Sequence, residues 1–108
     1  MNITYSDKLL DYLKRKGISN LHISLAETAV EAGYCEVLVE PMTESQIDDH
    51  RNEKYRYIHT IPGGDALGGN IYVTSRGIHF DDDVHFDLKS FLGIRHVTAK
   101  GVHAFKLR

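Results

Sequence analysis

Cys35 is the only cysteine in the chain. One thiol excludes a disulfide within the chain, and it excludes a single-chain zinc or cluster site built on thiolates alone. Three roles stay open for it: a reactive thiol, a ligand shared between subunits, or an inert packed sulfur. It lies in Ala32-Gly33-Tyr34-Cys35-Glu36-Val37-Leu38-Val39. Alternation with Val37 and Val39 predicts the apolar face of a strand, where a free cysteine behaves as a small hydrophobe. No Lys, Arg or His stands within two residues to stabilise the thiolate. Gly33 frees the backbone just before it, and a position near the strand's start can expose the sulfur even when its parity is inward.

The chain also holds seven histidines. Ile78-His79-Phe80 and Val84-His85-Phe86 flank Asp81-Asp82-Asp83, a pattern that predicts a hairpin with a three-residue connection. If Phe80 pairs with Val84, His79 pairs with His85, with Cβ atoms about 4.5–5.5 Å apart. Two imidazoles at that spacing can share one metal ion, with a carboxylate from Asp81–Asp83 as a third ligand and zinc, nickel or copper as the ion. The competing reading is a solvated outer face with two neutral rings. His22, His50, His59, His96 and His103 form no recognised ligand spacing.

Other motifs carry less. The glycine-rich stretch 63–69 lacks the Gly-Lys-Ser/Thr ending of a phosphate-binding loop and precedes a strand, so it reads as a hairpin connection. Asp48-Asp49-His50 and Asp81-Asp82-Asp83 lack calcium-loop spacing. No Gly-x-Ser-x-Gly elbow supports a serine nucleophile. No enzymatic reaction is indicated.

With 108 residues, 42% hydrophobic and 26% charged, the chain suits one globular domain spanning residues 1–108. Net charge is −2 and the basic residues are scattered, unlike the basic stripe of a nucleic-acid reader or the cluster of a membrane anchor. No apolar run approaches the roughly 20 residues that span a bilayer, and Met1-Asn2-Ile3-Thr4-Tyr5 does not read as a signal peptide. A cytoplasmic protein is expected.

The elements that must position these side chains are mostly strands. Ser6 as cap, Leu9, Leu10 and Leu13 on one face, and Gly17 as a left-handed stop predict a helix over 6–16. Lys14-Arg15-Lys16 then meets the negative end of its dipole. Strands are expected at 21–25, at 34–40 ended by Pro41, at 55–61 and at 70–74. Residues 43–54 read as a surface loop or frayed turn, and 62–69 as a flexible connection. Asp87 reads as the cap of a short helical turn over 87–92, closed by Gly93. Terminal strands at 94–99 and 102–107 complete an α+β, mostly β, fold.

Ile71-Tyr72-Val73-Thr74, then Val84-His85-Phe86-Asp87-Leu88-Lys89-Ser90-Phe91-Leu92-Gly93 and Val97-Thr98-Ala99-Lys100-Gly101-Val102, together resemble the C-terminal half of HesB-like proteins. The opening Ile3-Thr4-Tyr5-Ser6-Asp7-Lys8 is similar to that of their small CC/Se-motif branch. The resemblance covers most of the chain, apart from 43–54 and 62–69. It implies a HesB-like fold of curved sheets with peripheral helices. Within the wider family, A-type carriers hold iron or an iron–sulfur cluster through three cysteines and work as oligomers. The CC/Se branch carries paired Cys-Cys or Cys-selenocysteine in this strand. Here Cys35 matches that position but its neighbours are Tyr34 and Glu36, and the carriers' C-terminal Cys-x-Cys is absent. A homodimer would supply two thiolates, with histidines such as His59 or His103 completing the sphere.

The resemblance therefore implies iron or an iron–sulfur species bound by Cys35 at a subunit junction, with iron–sulfur assembly or acceptor proteins as partners. A thiol-reactive protein in sulfur or selenium handling is the second expectation. A binding scaffold that kept the fold after losing its cysteine ligands is the third.

Overall fold

Ser6 is extended and its hydroxyl accepts the Leu9 N–H at 3.2 Å, which starts helix α1, Asp7–Lys16. Gly17 ends it at φ 67°, with the N–H of Ile18 reaching back to Leu13 O at 2.9 Å. Leu9 and Leu13 face inward and are fully covered. The expected helix forms where its caps place it. The computed structural model describes residues 1–26, 36–47, 59–74 and 77–104.

Among the described residues, seven strands build one mixed sheet: β1 Asn2–Tyr5, β2 Asn20–Ala26, β3 Glu36–Met42, β4 His59–Pro62, β5 Asn70–Val73, β6 Ile78–Phe91 and β7 Ile94–Ala104. Their order is β1-β6-β7-β3-β2-β5-β4. β1 runs parallel to β6 and β5 parallel to β2, while the other pairs are antiparallel. Residues 44–47 form a helical turn, α2, and Gly64–Leu67 form another, α3. The α+β, mostly β, class is what the alternating pattern predicts.

The inward residues of this sheet form the main core with α1. Leu21, Ile23, Val39, Ile71, Val84 and Phe86 pack there with Leu9 and Leu13. Each such side chain contributes about 1.5–3 kcal/mol through burial. The sheet curls around this core, and Tyr5 joins its two ends by donating from its hydroxyl to Gly63 O at 2.6 Å. The Tyr5 ring stacks on Phe86, centroids 5.6 Å apart. Burial pushes the Tyr5 hydroxyl pKa up to about 12.

A smaller cluster covers the other face. Thr43 caps α2 by accepting the Gln46 N–H, and Gln46 returns the bond to the Thr43 N–H, the reciprocal arrangement that stabilises a first helical turn. Ile47 then packs with Met42 and Tyr72. The stretch from 43 is thus helical at its start and anchored by one buried isoleucine; residues 48–54 lie outside the described residues.

Several expected boundaries move. Pro41 does not end its strand: it lies inside β3 opposite Leu21. Proline has no N–H to exchange, so this must be a non-hydrogen-bonded pair of the β2–β3 ladder. Toward β7, β3 pairs only at Val39↔Val97, so no ladder bond is lost there. The connection 62–69 is not loose throughout, since Pro62 pairs with Asn70 and α3 buries Leu67.

The largest corrections concern residues 78–104. The hairpin 78–80/84–86 does not form, because β6 is one 14-residue strand paired with β7. The helical turn expected over 87–92 is strand through Phe91, followed by a tight turn at Leu92-Gly93. The two expected terminal strands are a single one, β7.

Candidate functional site

Cys35, the first residue singled out by the sequence, lies outside the described residues, as do His50 and the acidic pair Asp48-Asp49. The described part of β3 begins one position later, with Glu36 registered against Ala26 of β2.

His79 and His85 do not meet. Both sit on β6, and the residues opposite them on β7, His103 and Lys100, are three positions apart, about 10 Å along that strand. His79 instead stands opposite His103 on β7, and His85 opposite Lys100. The cause is the absence of a turn at Asp81-Asp82-Asp83. Those aspartates belong to a bulge in which residues 81–84 of β6 oppose Gly101 alone. Gly101 has φ 85°, and a side chain there would run into the Asp83 carbonyl oxygen. The acidic run disrupts the ladder without reversing the chain.

His85 is built into a different contact. β1 lies beside it in register Thr4↔His85, and the Thr4 hydroxyl and His85 Nδ1 share a hydrogen bond of 2.7 Å. His22 bonds through Nε2 to the Thr74 hydroxyl at 2.7 Å. His59 lies on the edge strand β4 opposite Val73, and is not among the residues gathered around His79.

What the ribbon does gather is His79, Asp81 and His103. Ile78, Phe80 and Val102 turn toward the core, so the residues alternating with them face solvent. His79 and Asp81 are same-face neighbours on β6, and His103 faces His79 across the pair. The imidazole centroids are 6.4 Å apart. Asp81 Oδ2 lies 2.9 Å from His103 Nε2 and Oδ1 lies 3.9 Å from His79 Nε2. One carboxylate therefore addresses both rings.

Among the described residues, no group of three or more His, Cys, Asp or Glu side chains could hold a metal ion. The partner of His79 was misread because the sequence offers a polar run at 81–83 where a turn is usual. The signal that finds His103 is the i, i+2 spacing of His79 and Asp81 together with a long second strand lacking any proline.

Among the described residues, no helix is long and apolar enough to cross a membrane. Comparison of the chain with family models, with curated proteins and with solved structures finds no match in any of the three.

Proposed function

We propose that this chain is a non-enzymatic, cytoplasmic binding protein with a HesB-like fold, which holds iron or an iron–sulfur species through Cys35 at the junction of a homodimer. The observation that carries this reading is the place of Cys35 in the chain. It stands one position before Glu36, the first described residue of β3, which is registered against Ala26 of β2, and these two strands lie inside the sheet order. The segments that resemble the family also fall on regular elements: 71–73 on β5, 84–91 on β6 and 97–102 on β7.

One thiolate per chain sets the chemistry. Iron favours several soft ligands, so two subunits supply two thiolates and other side chains or exogenous thiols fill the remainder. Assembly or acceptor proteins for iron–sulfur species are the partners that fit such an exchangeable ligand set.

Native mass spectrometry of protein purified without oxygen tests this reading. A dimer carrying iron, with or without sulfide, is expected from the native chain, and Cys35→Ser should remove the iron. A metal-free monomer from both chains would refute it.

A further inference from the structure

The turn at the tip of the β6–β7 ribbon and a groove beside α1 are complementary, and one chain carries both. We infer that they form a self-complementary interface, in which the ribbon tip of each copy of this chain seats in the α1 groove of a second copy. The tip is apolar: Leu92 is 85% exposed and Ile94 70%. Leu92 also sits at φ 51°, a conformation that strains a branched side chain. Asparagine suits that turn position better, and an exposed leucine there gives the fold little packing in return. Strain that the chain's own contacts do not offset points to a contact outside the chain.

The groove lies between α1 and α3 and has a volume of about 750 Å³. Leu10, Ile18, Ala66 and Leu67 give it an apolar lining, and Asp7 and Asp11 add negative charge. Both aspartates are exposed, and among the described residues neither is in an ion pair. The tip carries the opposite sign. Arg95 follows Ile94 directly, is exposed, and lies over the Tyr12 ring at 5.7 Å from its centroid.

α1 separates the two surfaces. On one side it lines the groove with Asp7, Leu10 and Asp11, and on the other it lines a cleft with Ser90 and Arg95 of the ribbon. Its charge is divided along its length, with Asp7 in the first turn, Asp11 after it, and Lys14, Arg15 and Lys16 in the last turn. Two copies of α1 crossing antiparallel about a two-fold axis therefore set acid against base at both ends. The same axis makes the tip–groove contact occur twice and closes the assembly at two chains. Arg95 beside each tip then faces the partner's Asp11. Exposed ion pairs add little each, so the apolar tip supplies the affinity and the charges set the orientation. None of these residues is a candidate iron ligand, and the contact stands independently of the reading through Cys35.

The test is sedimentation equilibrium of the full chain in the Cys35→Ser background with a chelator present, so that neither thiolate nor metal joins subunits. A reversible dimer is expected, weakened by added salt. Leu92→Asn and Arg95→Glu should each weaken it at least about tenfold, whereas Lys100→Glu, opposite His85 on the ribbon, should leave it unchanged. Asp11→Lys should weaken it too, and combining it with Arg95→Glu should restore it, because the pair is then reversed in sign. Thermal unfolding verifies that the variants stay folded. A monomer at every concentration, assembly beyond the dimer, unchanged association in Leu92→Asn, or no rescue by the paired reversal would each overturn the proposal. So would a monomer that Leu92 carries onto phosphatidylserine vesicles, which assigns the tip to a lipid surface. The background separates the two readings: a Cys35→Ser protein that loses iron and stays dimeric supports both. A dimer that needs Cys35 overturns this interface and leaves the iron reading standing.

Discussion

The Ser6 hydroxyl joins the start of α1 to the side chain of Asp87 on β6. Its oxygen accepts the Leu9 N–H while its proton is donated to the Asp87 carboxylate. That bond, and a second from the Leu88 N–H at 2.8 Å, hold the carboxyl at about 2, below its ordinary 3.8. In the unfolded chain the carboxyl takes up its proton first as pH falls. The stabilisation is therefore complete above about pH 4 and is lost progressively between there and pH 2. Denaturant unfolding across that window should show stability rising with pH in the native chain and a flatter dependence in Asp87→Asn. An unchanged slope in the variant would remove Asp87 from the acid response.

Gly17 and Gly101 separate two costs of adding a side chain. Both have left-handed backbone, φ 67° and 85°. A Cβ at Gly17 meets nothing within 4 Å, whereas one at Gly101 meets the Asp83 carbonyl oxygen. Gly17→Ala should cost about 1–2 kcal/mol from conformation alone. Gly101→Ala should cost that plus about 1–3 kcal/mol of overpacking, read as a lower denaturation midpoint. Equal losses would mean the bulge relaxes freely.

Leu92 takes φ 51° in the two-residue turn between β6 and β7, with its side chain 85% exposed. Turns with two positive φ values favour asparagine followed by glycine. Leu92→Asn should thus raise stability by about 0.5–1 kcal/mol, since a branched apolar side chain in this region is strained and here packs on little. Thermal unfolding measures it, and a fall in Tm would contradict the turn geometry.

The ribbon also shows why part of the fold was hidden in the sequence. The helix over 6–16 was legible because Ser6, the leucine spacing and Gly17 act within a few residues of one another. β2 and β5 were legible through their alternation. The long strand β6 was not, because a leucine occupies the turn that asparagine would have announced, while three aspartates occupy a bulge. Asp87 misled for a related reason: its side chain accepts the next backbone N–H, the kind of local bond a helix cap makes, but on extended backbone. The parallel pairings β1–β6 and β2–β5 join segments far apart in the chain, and no local pattern announces such contacts. His79 was paired with His85 instead of His103, a direct result of the missed strand.

Asn20 is almost fully buried, accepts the Asn70 N–H at 2.9 Å and donates to Glu44 at 2.9 Å. It ties β2 to the start of β5 and to α2. Asn20→Ala should cost about 1–3 kcal/mol, the penalty for leaving buried polar groups unmatched. Chemical denaturation checks this; a loss below about 0.5 kcal/mol would show that water replaces the side chain.

The proposed reading makes Cys35 the residue that holds iron. The direct measurement is iron and acid-labile sulfide per chain after anaerobic reconstitution and desalting, in the native protein and in Cys35→Ser. The native protein should retain iron with visible absorbance, and the serine variant should lose both. Equal iron in the two proteins, or a colourless and iron-free native protein, would contradict the assignment.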